Sequence, residues 1–307
     1  MKKCPQCGSL SKKNGRRNGL QRYKCVVCKY QFQSKKRNQK RNHKLWNEYI
    51  WKKQTLTQLA EDHGRGVKWV KNRLDTIDLP RSDLIPQATV VVADTTFWGQ
   101  HYGVTVFRSP ELKRNLWWDE VTSEKVATYH YGRKILESSG WTILGAVVDA
   151  RRGLAAVFSD IPVQICQFHQ MKLVTRYITR KPKTKPAQEL RAIMLTLTKT
   201  DEETFTKALD DWYSKYKDLI KEKEFDYCRK RRRYKNKDIR GAYMSMRRNL
   251  PHLFTYQKYP ELNLPNTTNS LEGFFTQLKA KVSIHRGSRQ DRRYKIISEI
   301  LRGKRRN

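Results

Sequence analysis

The sequence predicts a multidomain α/β protein, and three observations carry that prediction. Four of the six cysteines fall in the first 28 residues as two Cys-x-x-Cys pairs. Apolar residues at helical spacing follow, at Leu56, Leu59 and Ala60 and again at Val67, Val70 and Leu74. From residue 88 the period changes to short apolar runs, two of which end on acids, with helical stretches between them. A chain of 307 residues has room for two or three domains.

Charge restricts the function before any motif does. Lys and Arg number 65 against 29 Asp and Glu, a net charge of +36. An enzyme acting on a small neutral metabolite has no use for such a field, which would bind any polyanion it met. Nucleic acid fits better than an acidic membrane. A composition that is 37% hydrophobic and 11% aromatic builds cores and argues against disorder. No run of about 18 apolar residues is present, so no membrane span is expected. The start, Met1-Lys2-Lys3-Cys4-Pro5, is not a secretory signal. A reducing compartment follows, and with it metal or chemistry ahead of disulfides for the cysteines. No internal repeat of 20–50 residues is evident.

Cys4 and Cys7, then Cys25 and Cys28, are separated by 17 residues, the spacing of a four-cysteine Zn²⁺ site. Gly8 lets the first turn close so that amides face sulfur. So short a segment lacks the apolar mass for its own core, and the metal supplies its folding free energy. Two disulfides or free thiols are the alternative. Residues 1–44 hold 15 Lys and Arg and no acid, the composition of a phosphate-binding surface rather than a mixed solvated face. The apolar pattern of 54–74, broken at Gly64, is that of a helix-turn-helix, or of an ordinary helical hairpin. In a helix-turn-helix the second helix carries Lys68, Trp69, Lys71, Asn72 and Arg73 to the major groove. Residues 79–82 read as a linker.

Beyond the linker, residues 88–94 form a buried strand ending on Asp94, and 102–108 and 114–121 are two more strands. Residues 123–138 read as a helix, 141–149 as a strand ending on Asp149, and 163–168 as a shorter strand. The order β-β-β-α-β-α-β, with acids closing the first and fourth strands, is that of a ribonuclease-H-like mixed sheet. There the first and fourth strands are central neighbours, and their acids converge. Oxygen ligands of this kind suit Mg²⁺ or Mn²⁺, which can activate a water or a 3′-hydroxyl. Taken singly, an Asp at a strand end is as often a turn residue. A third carboxylate, Glu272, opens a helix that Asn269 or Ser270 would cap, a position also explained by helix chemistry alone.

Four motifs in order extend this reading: Asp94 in VVVADTTF, Asp149 in GAVVDARRG, Cys166-Gln167-Phe168-His169, and Asn269-Ser270-Leu271-Glu272-Gly273. With the cysteine pairs and helical pair ahead of them, they resemble DDE transposases of the Mutator-like superfamily, in the bacterial insertion-sequence branch with a zinc-binding N-terminus. The resemblance spans about residues 1–300. It implies a transposase that binds the terminal inverted repeats of its element, cleaves there and transfers the 3′-hydroxyl to target DNA. Asp94, Asp149 and Glu272 would hold the catalytic Mg²⁺ or Mn²⁺, and the 122 residues between Asp149 and Glu272 leave room for a helical insertion after the short strand. Cys166 and His169 match a family motif at a strand end, where they brace the strand or contact DNA or metal. A homodimer or larger homo-oligomer on double-stranded DNA, in the bacterial cytoplasm at the nucleoid, is implied. The competing readings are a non-catalytic DNA-binding regulator of the same build and a structure-selective nuclease.

The expected domains are a zinc ribbon at 1–40, a helix-turn-helix at 41–82, a core of 88–170 with 263–307, and an insertion at 171–262. The insertion reads as mostly helical, with apolar spacing at 188–195 and 205–212. The cationic run at 229–235, with Arg231, Arg232 and Arg233, calls for a polyanion, a localisation signal being the alternative. In the basic tail, His285 and Arg286 are candidates for DNA contact, a solvent-facing His being the alternative.

Overall fold

The computed structural model describes residues 2–17, 20–33, 36–77, 84–228 and 230–303, the side chains of 36–40 excepted. The expected linker at 79–82 and Arg229 lie outside the described residues. Among them the chain is mixed α/β with sheets of four, two and five strands. It divides into two compact units, one of the N-terminal residues to 77 with 281–300, the other of 84–280 with 301–303.

In the first unit, β1 (Lys2–Lys3), β2 (Leu10–Arg17), β3 (Leu20–Cys25) and β4 (Gln31–Gln33) pair in sequence order as an antiparallel sheet. Cys4, Ser11 and Cys25 are its buried residues, so apolar burial alone gives this sheet little stability. Then come α1 (Lys36–Trp51), α2 (Leu56–Asp62) and α3 (Val67–Asp75). Thr55 and Gln58 cap α2 reciprocally: the Thr55 hydroxyl accepts the Gln58 amide, and the Gln58 side chain accepts the Thr55 amide at 2.8 Å. Gly64 takes the left-handed backbone that turns the chain into α3. Leu59, Val70 and Leu74 are fully buried as the helical spacing requires, against Leu45, Trp46, Tyr49 and Ile50 of α1 as co-members of the core. Sequence reading did not anticipate α1, because its first turns are cationic and its apolar stripe begins only at Leu45.

The second unit is built on β5 (Ala88–Phe97), β6 (Gly103–Ser109), β7 (Arg114–Val121), α4 (Val126–Ser138), β8 (Thr142–Val148) and β9 (Val163–Ile165). The strand order is β7-β6-β5-β8-β9; β5, β6 and β7 are antiparallel, and β8 and β9 run parallel to β5. The continuous apolar run of β5 is what a strand flanked on both edges and covered on both faces needs. Phe107, Tyr129, Leu136, Val148 and Phe158 fill one cluster between sheet and α4. Two expectations are corrected. Strand β5 continues three residues past Asp94, because Thr95, Thr96 and Phe97 still pair with β6. Strand β9 stops at Ile165, so Phe168 and His169 lie on a helix rather than on the strand.

That helix is α5 (Gln167–Ile178), followed by α6 (Lys185–Thr196), α7 (Glu202–Lys221), β10 (Lys223–Asp226), β11 (Arg231–Tyr234), α8 (Lys237–Asn249), α9 (Thr255–Lys258) and α10 (Asn269–Ile284). Val174, Leu190, Leu209, Trp212, Ala242 and Met246 form a core shared by α5, α6, α7 and α8. Asp201 caps α7, its carboxylate accepting the Thr204 amide at 2.8 Å. The β10–β11 hairpin interrupts an insertion that is otherwise mostly helical, as expected. Arg231, Arg232 and Arg233 lie on β11, opposite Asp226, Phe225 and Glu224, where the strand spreads neighbouring cations onto opposite faces.

The last helix, α11 (Gln290–Arg302), falls largely within the first unit. Arg292 grips the Asp75 carboxylate with two bonds of 2.8 Å, and the Lys295 ammonium donates to the carbonyls of Asp75 and Ile77. These bonds complete the C-terminal end of α3. Residues 263–307 are therefore not one continuous part of the core as expected, since 281–300 joins the N-terminal unit.

Candidate active site and cysteine cluster

Three chain segments of the second unit deliver one cluster. Asp94 lies on central strand β5, and Asp149 follows the end of β8. The parallel register pairs Val92 with Val147; continuing it by two residues brings Asp94 level with Asp149. Glu272 arrives from far along the chain, in the first turn of α10. Its placement depends on local bonding at Cys166. The Cys166 amide donates to Val148 at 2.8 Å and the Gln167 amide to Asn266 at 2.9 Å. The buried Cys166 sulfur accepts the Thr268 amide at 3.3 Å. Thr268, whose carbonyl takes the Glu272 amide, is thus tied to the end of β9. Thr268 therefore leads into α10, one residue before Asn269 and two before Ser270, the residues expected to cap it.

His169 stands in the middle. Its Nδ1 is 3.8 Å from Asp149 and its Nε2 3.2 Å from Glu272. Asp94, His169 and Glu272 each offer a ligand atom within 4.8 Å of one another. The expected set of three carboxylates is therefore modified: the mutually close group holds His169, with Asp149 beside it, because the imidazole lies between Asp149 and Glu272. Asp94 is only 6% exposed. Burial pushes its carboxyl up to about 7, with Asp149 and Glu124 adding to the rise against the pull of His169 and the Thr95 amide. Burial pulls His169 down, but the Cys166 sulfur and the charges of Asp149 and Asp94 outweigh it and hold the ring at about 9.

Sequence reading missed several neighbours. The Lys172 ammonium donates to Glu272 at 3.1 Å; it lies one turn beyond His169, which helical spacing on α5 could have revealed. Tyr129 donates to Glu124 at 2.6 Å and contacts the Thr95 hydroxyl at 3.0 Å, forming a support beneath Asp94. Nothing in the sequence distinguished Glu124 from an ordinary helix-start residue.

In the first unit the four cysteine sulfurs converge. Cys4 and Cys28 are 3.6 Å apart, Cys7 and Cys25 3.4 Å, and Cys7 and Cys28 3.4 Å. Tetrahedral thiolates at about 2.3 Å from one ion stand roughly 3.8 Å apart, so the arrangement fits a metal such as zinc. Gly8 takes the left-handed backbone and returns its amide to the Cys4 carbonyl at 2.9 Å. Bonds from the Ser9 hydroxyl and amide lower the Cys7 thiol to about 6.

On α3, Lys68, Lys71 and Asn72 are exposed, whereas Trp69 and Arg73 are half-buried. The Trp69 ring is contacted by the guanidiniums of Arg41, Arg65 and Arg73 at 5.1, 5.8 and 5.4 Å. Arg231, Arg232 and Arg233 are exposed, with Arg233 paired to Glu224 at 2.9 Å. Arg286 is exposed, but His285 is only 7% exposed, its ring 4.0 Å from that of Tyr49. His285 is thus corrected from a surface group to a largely buried one, since α10 ends against α1 and turns its ring inward.

No family model matches the chain, and no curated protein matches it. No helix among the described residues is long and apolar enough to cross a membrane.

Proposed function

We propose that the protein is a DDE-type transposase, acting on double-stranded DNA by metal-dependent strand cleavage and strand transfer. The observation that carries the proposal is the meeting of Asp94, Glu272 and His169, with Asp149 beside them, from remote parts of the chain. A ribonuclease-H-like reading draws support from the strand order β7-β6-β5-β8-β9 with its antiparallel first half. A zinc ribbon and helix-turn-helix draw support from the cysteine cluster and the α2–α3 pair.

Asp94, Asp149 and Glu272 would hold Mg²⁺ or Mn²⁺, hard cations suited to carboxylates. When bound, such ions supply activation of a water or 3′-hydroxyl and stabilisation of the leaving oxygen. The chain's own part is positional. The Thr95 amide orients Asp94 at 2.8 Å, and Thr268 on the Cys166 sulfur fixes the start of α10 and so Glu272. The net charge of +36 holds phosphates near a site that is itself acidic.

Asp94→Ala, Asp149→Ala and Glu272→Ala are each expected to abolish Mg²⁺- or Mn²⁺-dependent cleavage and joining of labelled DNA bearing the element's ends, with DNA binding retained. Full activity in Asp149→Ala would end the proposal. A second reading, a DNA-binding regulator without catalysis, is favoured by one observation: Glu272 is already paired with both His169 and Lys172. It predicts binding with no metal-dependent product, and cleavage without joining would point instead to a nuclease.

A further inference from the structure

The first unit contains a cavity of about 760 Å³ between α3 and the turn joining α10 to α11. Lys68 and Lys71 line it from α3, and Arg286, Arg289 and Arg292 from the turn and α11; Asp75 is its acid. Two of the cations are committed. Arg292 is held by Asp75, and Arg289 pairs with Asp291 at 2.7 Å and reaches Asp75 at 3.6 Å. Lys68, Lys71 and Arg286 form no ion pair among the described residues, which leaves three cations around one cavity whose only acid is already engaged.

His285 adds an independent sign of a ligand. It lines the same cavity, is 7% exposed, and its Nδ1 has no hydrogen-bond partner among the described residues. A buried polar nitrogen left unpaired is unfavourable unless something binds there. The start of α3 also opens here: Val67 and Lys68 line the cavity, and no side chain caps the helix at Gly66. A helix N-terminus without a side-chain cap favours an anion.

We propose that this cavity is a phosphate-binding site that receives a backbone phosphate of bound DNA. Lys68, Lys71 and Arg286 supply the charge, and His285 supplies a hydrogen-bonding nitrogen at the floor. The source of the phosphate rests on the DNA reading above, whereas the oxyanion chemistry of the pocket does not. The contact carries no base information. It sets the depth and angle at which α3 meets the duplex, and it makes the turn after α10 part of the DNA-binding surface.

The test uses the full zinc-loaded chain and two unrelated duplexes of about 25 bp, with binding followed by anisotropy between about 50 and 200 mM salt. Arg286→Gln and Lys71→Gln are each expected to weaken both duplexes to the same degree and to flatten the log–log salt slope by about 0.9. Lys217→Gln, at an exposed position on α7, gives the reference for losing one surface charge. Ring signals of His285 in ¹⁵N-histidine spectra, assigned by their loss in His285→Asn, are expected to move on adding duplex. Inorganic phosphate is the second arm. If wild type binds duplex but the two variants match the reference and the His285 signals stay fixed, the pocket is wrong and the DNA reading survives. If no duplex binds while inorganic phosphate moves His285, DNA is overturned as the source and the DNA reading falls with it.

Discussion

Gly132 on α4 shows how little room the second unit leaves at single positions. A Cβ there would meet Trp117 ring carbons at 2.6 and 2.7 Å and Phe107 at 2.9 Å. Those rings are packed edge to face, so they cannot both retreat. Gly132→Ala is expected to cost about 1–3 kcal/mol, read as a lowered midpoint in thermal or urea unfolding. His285 gives a residue-scale pH dependence. Burial lowers its ring from the usual 6.5 to about 4. Above pH 6.5 both folded and unfolded chains hold it neutral, and its contribution is complete. As pH falls from 6.5 towards 4, the unfolded chain takes a proton that the folded one refuses, so stability is lost through that window. The cations Lys68, Lys71, Arg286, Arg289 and Arg292 around the cavity act in the same direction, and Asp75 opposes them. His285→Phe is expected to show a shallower fall in melting temperature between pH 7 and 4.5 than wild type, and equal slopes would contradict this.

At the scale of elements, local chemistry was the legible part. The Leu56, Leu59 and Ala60 spacing marked α2, and the Thr55–Gln58 pair fixes where it begins, because a hydroxyl three residues before Gln satisfies amides that a helix end leaves open. Thr55→Ala is expected to lower the stability of the first unit by about 1 kcal/mol, measured by tryptophan fluorescence in denaturant. Strand β7 is legible to the residue, and β5, β6 and β8 within a few, since alternation and apolar runs report directly on pleated, covered strands. The β10–β11 hairpin was not legible. Its cationic run carries no apolar period, and Arg233 is stabilised on the strand by Glu224 and Asp226, partners that become neighbours only once the hairpin closes. The same holds for β9: Gln167 starts a helix because its amide and side chain bond to Asn266, 99 residues on.

For the whole molecule, the two kinds of candidate metal site predict different responses to chelation. The four-stranded sheet has almost no apolar interior, so removing a metal from Cys4, Cys7, Cys25 and Cys28 is expected to unfold it. Proteolysis should then cut within residues 2–33 while 84–280 stays resistant, and added zinc should restore protection. By itself the sequence determined the cysteine spacing, the excess of cations, the covered strands, and the placing of Asp94 and Asp149 beside apolar strand runs. These are matters of composition and short period, which act over a few residues. Only tertiary structure decided that Glu272 and His169 reach Asp94, that the imidazole lies between two carboxylates, and that 281–300 returns to α3 through Arg292 and Lys295. Glu272 meets His169 across 103 residues and Arg292 meets Asp75 across 217. Such meetings depend on which buried faces and unsatisfied polar groups find one another when distant segments of one unit pack, and no local period records that.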